Sequence, residues 1–266
     1  MVENRLRLAY RWRTGASTDP GDSPGSTMAD DDDDDARLRN LNASPLNPLP
    51  GVVWLLLVAV LGVEAVLSAA GHGLIGGPEG LGWRVRAIER FAFSSAIQQW
   101  MIDNMRAPAM YLVRYLTFGF VHGNPMHAVF GAVLLAALGK MVAERFGTLR
   151  FAVLVLGVPV LAAGLFGLVT AQDRLGFLFG ALPMAFALVG AVTWLRWRDA
   201  EGDRAKQRRA FALIGVLIAA RLAFALLVET GPAWIAELAA FALGFAASAL
   251  FLGPGSWQRL RTRIRG

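Results

Sequence analysis

The 266 residues contain no cysteine, which excludes disulfides, thiolate metal ligands and a cysteine nucleophile. Histidine is nearly absent: His72, His122 and His127 are too few and too clustered for a metal cage, so neither metal nor cofactor is expected. Charge is scarce as well. Charged residues make up 17 % of the chain against 55 % hydrophobic, and the mean hydropathy of +0.47 is too high for a soluble domain. The net charge of +6 comes with no base-stacking or phosphate-cradling motif, so no nucleic-acid partner is expected. In so apolar a chain, arginines report membrane topology. The fold class these absences leave is an all-α polytopic membrane protein.

Residues 1–50 are a different material. The basic stretch RLRLAYRWR at 5–13 has no apolar run behind it, so it is neither signal peptide nor span. The Gly/Ser/Pro/Asp-rich residues 15–27, the run Asp30 to Asp35 and Pro45, Pro48 and Pro50 predict a disordered tail, with Met28 an alternative start that would make 1–27 a mis-called beginning. The membrane body is expected over 51–253 and a basic tail over 254–266. Apolar runs predict six spans, at 52–70, 125–143, 149–171, 176–195, 210–228 and 233–252.

Between the first two spans lies a large first loop, 71–124. Its segment 83–106 places Trp83, Ile88, Phe91 and Trp100 along one side, which suits either a helix in the headgroup layer or a loop packed on the protein's own surface. Lys140, Arg145 and Arg150 follow the second span, Arg196 to Arg209 the fourth, and Arg259 to Arg265 the sixth. By the positive-inside rule both termini face the cytoplasm. Two small-residue patterns suggest close helix contacts: Gly176 with Gly180, and Ala236, Ala240, Gly244 and Ser248 at every fourth residue of the sixth span.

The stretch Arg114 to Gly147, RYLTFGFVHGNPMHAVFGAVLLAALGKMVAERFG, organises the rest. Asn124 is a good N-cap, Pro125 suits the first helical position, and His127 falls in the first turn. Arg114-Tyr115, His122, and His127 four residues before Gly131 resemble the first-loop and second-span signature of the rhomboid intramembrane serine proteases, "RY(F/L)T…(F/L)-x-H" leading into "M-H-x-x-x-N". The resemblance covers roughly residues 50–255. It implies a six-transmembrane-helix bundle in a bacterial inner membrane, with a serine-type endopeptidase dyad of a fourth-span Ser in GxSG and a sixth-span His.

The chain departs from that pattern where the chemistry sits. The fourth-span motif reads Gly180-Ala181-Leu182-Pro183, and leucine offers no nucleophile. The dyad's histidine position in IAELAAFALGF is Glu237, and the oxyanion asparagine is Gly131. Ala143 stands where the family carries the acid that anchors its loop, with Glu144 one residue on. Such replacements imply a pseudoprotease in which no catalytic set is intact and His122 and His127 pin loop to helix. Derlins and inactive rhomboids are relatives of this kind, and by that resemblance transmembrane segments of client proteins are the expected partners besides lipid. The alternative is an active intramembrane endopeptidase with displaced groups. Arg221, midway along the fifth span, needs a partner: Glu237, Glu64 or a water-filled cavity.

Overall fold

The computed structural model describes residues 49–171, 176–200, 202–227 and 231–252, the side chains of 221–227 and 252 excepted. The expected tails, apart from Leu49 and Pro50, and the connection bearing Asp173 and Arg174 lie outside the described residues.

Helix α1, Gly51–Gly71, starts after Pro50, whose ring presets the backbone for the first turn. Val53, Leu56, Leu57, Val60, Glu64 and Leu67 recur at spacings of three and four and are buried. The opposite face is no more polar: Leu55 and Val58 are 71 % and 61 % exposed. A helix apolar all round, with one face uncovered, is suited to lipid.

Helices α2, Trp83–Phe91, and α3, Ser95–Asp103, follow. Strand β1, Phe93–Ser94, separates them, so 83–106 is not one continuous interfacial helix. No residue of α2 is buried, whereas Ser95, Gln98 and Met101 of α3 are. The segment packs on the protein because Ser95 and Gln98 find buried partners there. The Ser95 hydroxyl lies 2.6 Å from that of Thr170, and the Gln98 amide donates to the Gly164 carbonyl at 3.1 Å.

Helix α4 spans Pro125–Phe146 and α5 Thr148–Val169, joined at Gly147 with φ +79. A π-helical turn at Val153–Gly157 sits in α5 just before Pro159, where the missing proline N–H interrupts the regular ladder. Strand β2, Phe177–Leu178, pairs antiparallel with β1 in the register Phe93 to Leu178 and Ser94 to Phe177. Residues 176–180 are therefore strand and turn, and the expected fourth span starts later, as α6, Leu182–Asp199. Gly176 and Gly180 accordingly make no helix–helix contact of the GxxxG kind. A short helix α7, Arg204–Ala210, precedes α8, Ala212–Leu227, so the basic residues form their own turn and are not the start of a span. Helix α9 is Trp234–Leu252.

Four of these helices, α1, α4, α5 and α9, are long and apolar enough to cross a membrane. Helix α6 lies at the centre, with every residue from Pro183 to Leu195 buried, and packs on α4, α5, α8 and α9. Its closest neighbour is α9. A side chain at Gly190 would run into the backbone of Phe241 and Phe245, and one at Gly244 into that of Ala187. Ala236, Ala240 and Ser248 of the small stripe are fully buried along the same helix. Small residues let two backbones touch, and in lipid that dispersion contact drives association.

Gly244→Leu is expected to lower stability by about 1–3 kcal/mol or more through overpacking. Thermal unfolding in detergent measures it, and an unchanged midpoint would mean that α6 and α9 part there without cost.

Candidate functional site

Helix α4 begins as its sequence requires. The Asn124 side chain accepts the His127 N–H at 2.8 Å, and Pro125 occupies the first turn. This sets the His127 imidazole edge-to-face with that of His122, ring centroids 5.3 Å apart. His122 is fully buried. The turn before α6 is tied to the same loop by two successive donors: the Gly180 N–H reaches the Phe118 carbonyl at 2.8 Å and the Ala181 N–H reaches Nε2 of His122 at 3.1 Å. Gly180 has φ +100, a conformation open to glycine, and a Cβ there would collide with the His127 ring. Turn shape and ring position thus depend on each other.

Leu182 and Pro183 open α6, where proline is tolerated because its missing N–H would have no intrahelical acceptor. Glu237, in the first turn of α9, is 3 % exposed. A cleft of about 360 Å³ brings these positions together. Its polar wall is His127 and Glu237; Phe177, Leu178, Phe179, Leu182, Pro183, Gly231 and Ala233 complete it. No described residue lining it carries a hydroxyl, thiol or amine. Gly131 does not reach the cleft, and a Cβ there would lie 3.0 Å from that of Ala181, so α4 approaches the turn through the space a larger residue would need. A larger groove of about 800 Å³ between α3 and α5 is almost wholly hydrocarbon, and its Tyr115 hydroxyl and Gln98 amide are bonded to each other at 2.7 Å.

A polytopic helical protein whose first loop is fastened to the start of a buried central helix, beside a paired imidazole cleft, is the class these features define. The sequence matches the Rhomboid domain family over residues 109–254, more than half of its length. The chain belongs to the rhomboid family, and it is an integral membrane protein with several apolar helices. No curated protein is significantly similar to it.

The remaining sequence-predicted residues are placed as follows. Arg114 donates from Nη1 to the Ala92 carbonyl at 3.1 Å, and its buried Nε has no partner among the described residues. Burial also lowers its pKa. Glu144 pairs instead with Lys140 at 3.8 Å, on a half-exposed surface. The Arg221 side chain lies outside the described residues, so its expected pairing with Glu237 does too. Glu64, the other expected acceptor, is occupied by a different cation: Arg84 grips both its oxygens at 2.6 and 2.9 Å, and Ser68 donates to it at 2.7 Å.

Sequence reasoning missed this pair, because Arg84 is one of several arginines in a mixed segment and nothing local marks its partner. Arg84 also donates to the His122 carbonyl at 2.8 Å. The bridge therefore runs from α1 through α2 to the histidine that holds the turn before α6.

Glu64→Gln is expected to cost about 2–3 kcal/mol, since it leaves Arg84 uncompensated, reduced from a fully buried pair by the 20 % of Arg84 that reaches solvent. Combining Glu64→Leu with Arg84→Leu should cost less than the sum of the single changes. Strict additivity in a detergent unfolding cycle would deny the coupling.

Burial, with His127 alongside, pushes the His122 imidazole down from 6.5 to about 4, which the nearby Glu64 carboxylate only partly offsets. The ring is neutral at pH 7 and accepts at Nε2. Its unfolded counterpart takes a proton near 6.5, so the stability this group contributes is full above that pH. It is lost as pH falls towards about 4, at no more than about 1.4 kcal/mol per pH unit. His122→Gln should flatten the pH dependence of the melting temperature across that window, and an unaltered profile would exclude His122 as its source.

Proposed function

We propose that this chain is a non-catalytic rhomboid, a pseudoprotease that binds transmembrane segments of other membrane proteins. The observation that carries the reading is the chemistry of the cleft. The resemblance assigns Leu182 and Glu237 to the dyad positions, and no described lining residue carries the hydroxyl or thiol that serine-type chemistry uses. A carboxylate can act as a base, but the serine-type route begins only with a side-chain hydroxyl for it to activate.

Five serines and threonines of the membrane body support the same reading, because they are engaged elsewhere. Ser68 bonds Glu64, Ser95 and Thr170 bond each other, and Thr193 and Ser248 donate to backbone carbonyls one turn back. The cleft keeps its shape through contacts that need no catalysis: the two N–H bonds at Gly180 and Ala181, and the His122–His127 stack. Its walls are largely aromatic and aliphatic, a surface suited to an apolar segment of a client.

The same reading completes the topology. Helices α6 and α8 join the four apolar helices to give six spans; α6, flanked by protein, tolerates the arginines of its last turn at the bundle's end. The Arg145–Asp199 ion pair, 2.5 Å, places the C-terminal ends of α4 and α6 at one end of the bundle. That end carries Arg150, Arg196, Arg198 and the arginines of α7. The positive-inside rule assigns it to the cytoplasm of a bacterial cell, with both termini on that side.

Purified protein in liposomes should neither cleave a generic transmembrane substrate nor be labelled by a serine-reactive fluorophosphonate. Specific, time-dependent cleavage would sink the proposal. Leu182→Ser alone should restore no activity, because Pro183, Gly131 and Glu237 remain and an asparagine at 131 would press on Ala181.

A further inference from the structure

Among the described residues, the charges at the basic end of the bundle are not evenly satisfied. Asp199 is taken by Arg145. Asp203 accepts the N–H groups of Lys206 and Ala205 and lies 3.3 Å from the Lys206 ammonium. With the acids so engaged, Arg204 and Arg208 have no hydrogen-bond or ion-pair partner for their guanidinium groups among the described residues. They stand four apart on α7, hence one above the other on one face.

Both line a cleft of about 470 Å³ whose other walls are Trp197, at the end of α6, Gln207, and Phe211, between α7 and α8. Trp197 and Phe211 are each 41 % exposed, yet both rest on Phe245 of α9, with ring centroids 6.3 and 6.0 Å away. Two helices and the α7–α8 connection thus build one aromatic wall beside two uncompensated guanidinium groups.

We propose that this cleft binds the headgroup of a single anionic phospholipid. Planar guanidinium groups bond phosphate oxygens through paired N–H donors, and two of them more than offset the single negative charge of a phosphodiester. Exposed indole and phenyl rings at a bundle's end favour the level where glycerol esters meet hydrocarbon. A soluble anion would use the arginines and leave the rings in water, whereas a phospholipid covers both. The site needs the basic end to face a leaflet carrying anionic lipid, and basic pockets between helices are suited to that. It does not depend on whether the distant His127–Glu237 cleft is catalytic.

The test is native mass spectrometry of the full chain in detergent, titrated with dioleoylphosphatidylglycerol or dioleoylphosphatidylcholine. The expected result is one phosphatidylglycerol retained in preference to phosphatidylcholine. Arg204→Gln with Arg208→Gln should weaken that binding about tenfold or more, the loss expected for charge-assisted hydrogen bonds. Arg196→Gln, exposed near the same end but outside the cleft, should leave it intact. Equal loss from Arg196→Gln, no preference over phosphatidylcholine, or displacement of the lipid by millimolar inorganic phosphate would each overturn the proposal. So would retention of phosphatidylglycerol only after Asp30 to Asp35 are changed to asparagine, since the chain's own acidic run would then be the occupant.

Discussion

The contact between the backbones of α6 and α9 is the constraint on which the remaining geometry depends. Inside a bilayer no hydrophobic force draws helices together, so close dispersion contact and buried hydrogen bonds must do so. Gly190 and Gly244 allow that contact, and each faces backbone on the other helix. With the two helices pressed together, the start of α6 and the start of α9 meet, and Leu182, Pro183 and Glu237 share a cleft. Any side chain at either glycine would move one wall of the cleft relative to the other.

A second set of bonds fixes the cleft from outside the bundle. The turn at 179–181 is too short to hold its own shape, and its two N–H groups are satisfied by the preceding loop, at Phe118 and His122. His122 is in turn held by Arg84, and Arg84 by Glu64 of α1. Ala143 leaves α4 without an acid at the family's loop-anchoring position, and Arg114 donates to the Ala92 carbonyl. A bidentate ion pair between α1 and α2 now supplies a loop anchor. Its position accounts for a glutamate in a helix otherwise fit for lipid, since Glu64 is 5 % exposed and fully engaged.

The helices were legible because their apolar runs are long, and the start of α4 because Asn124-Pro125 punctuates it. Residues 176–181 were not legible. Gly176-Phe177-Leu178-Phe179 is as apolar as the helix that follows, and hydropathy cannot separate a buried strand from a helix when the partner strand lies some 80 residues upstream. The break at Ala92 to Ser94 was hidden for the same reason, since the two strands define each other. Within the site, the resemblance to the family named His127, Leu182, Pro183 and Glu237, and only the fold places them around one cleft. The Glu64–Arg84 bridge left no local signal, because a pairing twenty residues apart across a glycine-rich turn depends on where α2 is docked.

The two ends of the bundle put arginine to different uses, and the difference follows from what surrounds it. At the loop end, Arg84 and Arg114 are largely buried, so each must be met by a fixed acceptor: a carboxylate and the His122 carbonyl for one, the Ala92 carbonyl for the other. At the other end, Arg204 and Arg208 are exposed and cost nothing unpaired in water, so they can stand without a carboxylate among the described residues. Exposed charge held beside exposed aromatic rings is matched best where the surroundings supply both an anion and an apolar phase. Of the media this protein meets, the headgroup layer of a membrane is the one that supplies both.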